Sequence, residues 1–304
     1  PGDGTITRGD IYADYCAVDI PTDLLRPDGN VSPDNQTGWA ESNWTNLRRV
    51  NYMLDNMHKC KGRVSDEIYN HYEGVARFWR AWFYYDKVQT FGAVPWYDFT
   101  IAASDKEAMM KPRDSREYVM DKVLEDLTFA STYCLSDAKF TKGSALINKW
   151  VALAFKSRVC LFEAAYRRYH NLTGLEITPE ELYREAAKAA KLVIDNSGCS
   201  LNTAAGKKGA YRDLFYSETP LTQEVILAVC ANEKSGIFGE QNWWFNARSY
   251  GLCWSLVRSF VHTYLKQDGT PFTAAADYAV KSFAEEMEGR DLRLEQTVRG
   301  RNFL

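Results

Sequence analysis

The chain has 304 residues, long enough to bury a large core, and its 45% hydrophobic and 25% charged residues are ordinary for a globular protein. A formal charge of −3, with Lys and Arg scattered and no acidic block, gives no field directed at nucleic acid or an anionic membrane. No apolar run approaches the roughly eighteen residues a membrane-spanning helix needs, and the opening PGDGTITRGD lacks a basic-then-apolar leader pattern.

Residues 1–42, rich in Pro, Gly, Asp and Asn, read as loop. Trp44, Leu47, Val50, Leu54 and Met57 then recur at three- and four-residue steps, the spacing of one helix face. After Gly62, the run Ser65-Asp66-Glu67 supplies an N-cap and two acids for a second helix. That helix is expected to reach Phe91 with Ile68, Tyr72, Val75, Trp79, Trp82 or Phe83, and Val88 on its buried side, and Gly92 and Pro95 end it. Trp79, Trp82, Phe83 and Trp150 fall at helical spacing and are expected in the core, whereas Trp96 fits either a buried or a rim position. Asp114-Ser115-Arg116-Glu117 has the form of a capping box and opens a third helix through Val119, Val123, Leu127 and Ala130. A long fourth helix is predicted from about Ser144 to Tyr169. Thr178-Pro179-Glu180-Glu181 opens a fifth, which carries Leu182, Ala186, Ala189 and Val193 and stops at Asn196-Ser197-Gly198.

The character changes after Ser200. The β-branched run from Glu224 to Val229 is the best strand candidate, Ser255–Lys266 reads as a short helix, and Asp268-Gly269 as a turn. Between them, GIFGEQNWWFNARSYGLCW is Gly-punctuated and aromatic without a helical period. The predicted fold is mainly α: tetratricopeptide-like stacked helix pairs with a loop-rich lobe containing a few short strands. Its expected division is a loop-rich segment over 1–42, a helical scaffold over 43–200, and a loop-rich ligand-binding lobe over 201–304.

The seven Cys are isolated from one another and only four His are present, which argues against a metal site and against a complete disulfide framework. Cys160 and Cys230 sit in apolar runs and read as small buried hydrophobes. His58, His71, His170 and His262 are far apart and read as surface or packed residues, Arg77 and Arg80 as partners of acids between helices, and Glu285, Glu286 and Glu288 as a solvated face.

Several segments, in order, resemble the SusD/RagB family. Tyr72–Asp98 is similar to its long E-x-x-F-x-R-A-x-x-Y helix running into an F-G-x-V-P turn, matched by Arg80, Ala81, Tyr84, Phe91, Gly92, Val94 and Pro95. Upstream, Trp44 and Asn51 keep the family's W-x-x-x-Y/R-x-x-x-x-N helix. Downstream, Gly143, Ala145, Ala152, Leu153, Ser157, Arg158 and Leu161 keep the register of the next, without its opening Arg. Ala187-Ala190-Val193-Ile194, Leu214-Phe215, Gln223–Leu227, Asp268-Gly269 and Arg290–Leu294 resemble later motifs, with Cys199 in place of a Tyr and Leu292 in place of a Pro. The resemblance covers about residues 40–300. Family members begin earlier, with a lipidated Cys, and continue well past the R-D-x-R-L segment, so the expectation is a chain short of both ends.

What the resemblance implies is a lipoprotein at the outer-membrane surface, anchored through an N-terminal Cys absent from this sequence. It binds glycans and hands them to a TonB-dependent, SusC-like transporter. The residues agree with binding: a sugar has an apolar C–H face and a polar rim, which aromatic rings flanked by amides and charges satisfy together. Two segments offer that mix. One holds Trp39 and Asn43, with Asn35, Gln36 and Glu41 nearby; the other holds Asn242, Trp243, Trp244, Asn246, Arg248 and Tyr250, with Gln241 and Phe245. The alternative for each aromatic is that it packs its loop onto the helices.

Three other readings stay open: peptide capture by the same architecture, as in the RagB branch; a helical glycoside hydrolase using paired carboxylates; and a structural helix-pair adaptor. No zinc-protease, nucleophile-elbow, phosphate-loop or dinucleotide motif is present, and no catalytic residue or cofactor is assigned. Scattered Asp and Asn form no calcium loop; a structural calcium is left open but not predicted.

Overall fold

The computed structural model describes residues 13–17, 38–141, 145–230, 232, 234, 236 and 255–300. The chain divides into two units. One combines Thr37–Leu201 with Thr222–Val229; the other combines Pro1–Gln36, Asn202–Leu221 and Cys230–Leu304.

The first unit is helical. A 3-10 turn, Glu41–Trp44, leads into α1 (Thr45–Asn56), followed by α2 (Asp66–Phe91), α3 (Arg116–Tyr133), α4 (Lys149–Tyr169) and α5 (Pro179–Asn196). The predicted stop and start signals act where they were read. Ser65 Oγ accepts the Ile68 N–H, Gly92 closes α2 at φ +69°, and Thr178 and Glu181 form a reciprocal capping box. Two starts differ. The cap of α3 is Ser115, because the Asp114 carboxylate instead accepts the Trp96 N–H at 2.7 Å. α4 begins at Lys149 rather than near Ser144, because the Asn148 side chain accepts the N–H groups of Trp150 and Val151.

Each helix packs chiefly on its neighbours in sequence: α1 on α2, α2 on α3, α3 on α4 and α4 on α5. That nearest-neighbour stacking is the predicted tetratricopeptide-like arrangement. The main core runs through Phe78, Tyr84, Val94, Trp96, Val119, Met120, Val123, Leu127, Val159 and Leu182. On α5, Leu182, Ala186, Ala189 and Val193 are all buried as their spacing requires. A buried Leu or Val side chain stabilises by about 1.5–3 kcal/mol, so this stripe, more than helix propensity, holds α5 in place.

The buried face of α2 matches the predicted one only in part: Val88 is buried, and Ile68, Val75 and Phe83 are half-buried. Tyr72, Trp79 and Trp82 are 47%, 44% and 39% exposed, whereas His71, Arg80 and Lys87 are buried. α2 is apolar almost all round, so periodicity alone did not orient it; polar partners on neighbouring elements did. Trp82 covers part of its surface by stacking on Phe155 of α4, with centroids 4.5 Å apart and planes 20° apart. Phe83 and Trp150 are half-buried against the cores. Burial, then the charge of Lys139, lowers the pKa of His71, and its Nδ1 accepts the Leu135 N–H at 3.1 Å.

The segment from Glu224 to Val229 is turn and irregular chain, not a strand. Ile226 and Leu227 pack on the helical core instead, and the Gln223 carbonyl accepts the Ser200 N–H at 2.8 Å. Of the cysteines, Cys134 and Cys160 are buried and inert: burial pushes their thiols up to about 12 and about 11. Cys230, read as buried, is exposed.

The second unit holds β1 (Cys16–Ala17), α6 (Gly206–Tyr216), β2 (Ser255–Leu256), α7 (Arg258–Thr263) and α8 (Leu292–Thr297). β1 and β2 pair antiparallel, so the predicted helix from Ser255 starts only at Arg258. At the predicted turn, Gly269 takes φ +83° and Asp268 Oδ1 accepts the Thr270 N–H at 2.9 Å. Of the expected solvated face of Glu285, Glu286 and Glu288, Glu286 is buried, and so is Arg290 nearby. Arg290 donates to the carbonyl oxygens of Glu286, Val261 and Tyr264 at 2.7–2.8 Å. Glu286, only 3% exposed, accepts from Arg258 Nε at 2.6 Å and lies 3.2 Å from His262 Nε2.

Candidate functional site

Of the predicted binding residues, Asn242, Trp243, Trp244, Asn246, Arg248 and Tyr250 lie outside the described residues, as do Asn35 and Gln36. Trp39 and Asn43 lie within them, on the first unit, beside the start of α1.

Trp39 is half-buried. Its ring meets Trp44 at 5.2 Å and 84°, and Phe91 at 4.9 Å and 75°, so part of it packs this segment onto α2. The guanidinium of Arg113 lies 4.7 Å from the Trp39 ring centroid. Arg113 is exposed, and a guanidinium stacked on an indole presents N–H donors around its rim that fit paired hydroxyls or carboxylates. The Ala40 carbonyl accepts the Asn43 N–H at 2.9 Å and starts the 3-10 turn, which leaves Glu41 and Asn43 exposed. We take Trp39, with Arg113 on its ring, and the exposed Glu41 and Asn43 of the turn that follows as one candidate ledge. Sequence reasoning found Trp39, Asn43 and Glu41 and missed Arg113, because its link to Trp39 spans the turn after α2 and has no local pattern.

A second feature of this unit is a polar cleft of about 370 Å³ between α1, α2, α3 and the extended segment Trp96–Asp98. Its charges are largely committed to each other. Arg77 Nη2 lies 2.7 Å from Glu73 and its Nη1 3.5 Å from Asp126. Arg80 takes Asp126 in two hydrogen bonds, and Lys122 meets Glu125 at 2.8 Å. Burial works against the charge of Arg80, but the hydrogen bonds and charge of Asp126 outweigh it and raise the guanidinium pKa. Arg77 also lies over Phe129, and Arg80 near the buried ring of Trp96, at 4.2 and 5.3 Å. This confirms the expected pairing of Arg77 and Arg80 with acids between helices. An interlocked array of this kind fastens helices, and we assign the cleft to the scaffold.

The carboxylates buried among the described residues share that property. Asp126 is held by Arg80, Glu163 by Arg116 and Arg167 at 2.7–2.8 Å, and Glu286 by Arg258. A glycoside hydrolase needs one carboxyl held as an acid beside one free carboxylate. These three are instead each engaged by guanidinium groups.

Comparison with known proteins gives this geometry its setting. Residues 27–161 match a SusD-like family model described as "Starch-binding associating with outer membrane". A SusD-like protein from Bacteroides fragilis NCTC 9343 aligns with a TM-score of 0.58 at 21% identity, over 82% of this chain and 47% of its own. A SusD-like carbohydrate-binding protein from the same strain gives 0.61 at 20% identity, over 84% and 45%. A SusD superfamily protein from Bacteroides thetaiotaomicron VPI-5482 gives 0.53 at 17%, over 71% and 44%. At these identities the likeness is one of fold, and the chain spans a little under half the length of these structures. No curated protein matches the sequence. Among the described residues, no helix is long and apolar enough to cross a membrane.

Proposed function

We propose, from the premise that this chain belongs to the SusD/RagB family of starch-binding proteins associated with the outer membrane, that it captures glycans at the cell surface and delivers them to a TonB-dependent, SusC-like transporter. It acts as a binder without turning the glycan over, held at the membrane by a lipid anchor. The observation that carries this reading is the ledge of Trp39, Arg113, Asn43 and Glu41 on a SusD-like helical scaffold. A sugar's C–H face meets the ring, and its hydroxyls meet the guanidinium, amide and carboxylate. The aromatic segment with Asn242, Trp243, Trp244, Asn246, Arg248 and Tyr250 is proposed to supply further contacts.

The test is a calorimetric titration of the chain with soluble starch fragments, plant, host and microbial glycans, beside Trp39→Ala, Asn43→Ala, Trp243→Ala and Trp244→Ala. Saturable binding of one glycan class, intact sugar on recovery, and loss in at least one folded variant are expected. Silence across the panel from a folded chain would overturn the glycan reading and turn attention to peptides. Pull-down by a SusC-like transporter tests the docking that delivery requires.

A further inference from the structure

Lys87 is a charged residue in the wrong place by every simple rule. It lies near the end of α2, only 5% exposed, and among the described residues no carboxylate forms an ion pair with it. A buried ammonium persists only where something else compensates its lost hydration. Here three rings surround it: Phe83, Phe91 and Trp44, with centroids 5.3, 5.5 and 5.6 Å from Nζ. Within that cage Nζ donates a hydrogen bond to the Gly38 carbonyl oxygen. Burial accordingly lowers the Lys87 pKa.

Both ends of one segment converge on this cation. Gly38 gives its carbonyl and Trp44 its ring, and the residues between include Trp39, Glu41 and Asn43. Gly38 is adapted to the approach: its φ is +98°, and a Cβ there would lie 3.3 Å from Phe91 Cζ. Trp39 then lies against two rings of the same cage, Trp44 and Phe91.

We infer that Lys87 is a positioning residue for the ledge: its ammonium, caged by Phe83, Phe91 and Trp44 and bonded to the Gly38 carbonyl, holds residues 38–44 in the conformation that presents Trp39 and Asn43. The binding half of this inference rests on the glycan reading above; the positioning half does not. Lys87 touches no ligand itself, so its removal loosens the segment and weakens binding while α2 and its core remain.

The experiment is hydrogen–deuterium exchange on the chain and its Lys87→Met and Lys87→Arg variants, with calorimetric binding of maltoheptaose alongside. In Lys87→Met, amides of residues 38–44 should exchange on the order of 10-fold faster while α2 and α3 keep their protection. Lys87→Arg should restore part of it. Gly38→Ala approaches the same contact from the other side, and should loosen the same peptide should Lys87→Met fold poorly. Unchanged exchange over 38–44 in folded Lys87→Met and Gly38→Ala would overturn the inference. Maltoheptaose affinity should fall by about 10-fold in Lys87→Met, in step with Trp39→Ala. Loosened exchange with no dependence of binding on Trp39 or Lys87 would uphold the positioning role and overturn the ledge as the glycan site.

Discussion

Arg80 and Asp126, 46 positions apart, meet in a two-pronged ion pair, Nε to Oδ2 at 2.7 Å and Nη2 to Oδ1 at 2.8 Å. Their side chains are 8% and 2% exposed, so the pair joins α2 to α3 from within the protein. The attraction of such a pair is largely offset by desolvation, but stranding one partner costs about 3–5 kcal/mol. Arg80→Met and Asp126→Asn should each lower the unfolding free energy from urea titration by about that amount. Arg80→Met combined with Asp126→Leu should recover most of the loss, because neither charge is then left buried. Single variants costing under about 1 kcal/mol would show that the pair behaves as a surface one and does not fasten the helices.

The same two helices approach closely at Gly74. A Cβ there would lie 2.8 Å from Cys134 Sγ and 3.4 Å from Ala130 Cα. In an exposed helix, Gly→Ala gains about 1 kcal/mol, but overpacking a buried contact costs about 1–3 kcal/mol. Both neighbours are buried at the end of α3, so the clash should win and Gly74→Ala should lower the melting temperature. Pairing it with Cys134→Ala should bring the temperature back toward the parent. A stabilised Gly74→Ala would mean that α3 yields by several tenths of an ångström at no cost.

Asn51 carries a third test. Its Nδ2 donates to the carbonyl oxygens of Tyr97 and Phe99 at 2.9 and 3.0 Å, tying α1 to the chain that leaves the F-G-x-V-P turn. Asn51→Leu removes this donor from the Phe99 carbonyl and leaves the Tyr97 carbonyl only the Tyr84 hydroxyl at 3.3 Å, and should cost about 1–3 kcal/mol. Asn51→Asp should cost more, because it sets a carboxylate against those acceptors. Faster amide exchange confined to residues 97–101 is the checking measurement. Equal stability of the Leu and Asp variants would remove the assigned role.

The parts of this architecture legible in the sequence are those set by local chemistry. Ser65, Gly92, Thr178 and Glu181 act within a turn of themselves, and α5 has a clean apolar stripe, so its buried face was read correctly. α2 has aromatics on every side. Its orientation follows from Asp126 on α3 and from Trp44 and the Gly38 carbonyl at Lys87, all tens of residues away. The run Glu224–Val229 has strand-like composition, but its Ile226 and Leu227 pack on the helical core instead. At the candidate ledge, Trp39 and Asn43 stand out by type, whereas Arg113 and Lys87 gain meaning only once the chain brings Arg113 to Trp39 and Lys87 to Trp44, two rings in edge contact.

Glu286 gives the clearest dependence on pH, because the second unit buries it beside Arg258 and His262. Burial alone would raise its pKa; the hydrogen bond from Arg258 and then the close approach of His262 overcome this and hold it below the ordinary carboxylate value. A group whose pKa is lower folded than unfolded stabilises the fold above the unfolded value, near 4.3 for Glu, and loses that contribution as pH falls through the folded value. The second unit should therefore keep its full stability above about pH 5 and lose part of it below. Glu286→Gln should cost about 1–3 kcal/mol at neutral pH by removing the charge that Arg258 faces. It should also flatten the acid limb, since the group that titrates there is gone. Exchange or thermal melts of residues 255–300 between pH 3 and 7 separate the outcomes: an acid limb of equal slope in both proteins would assign the loss to other carboxylates and leave Glu286 as packing alone.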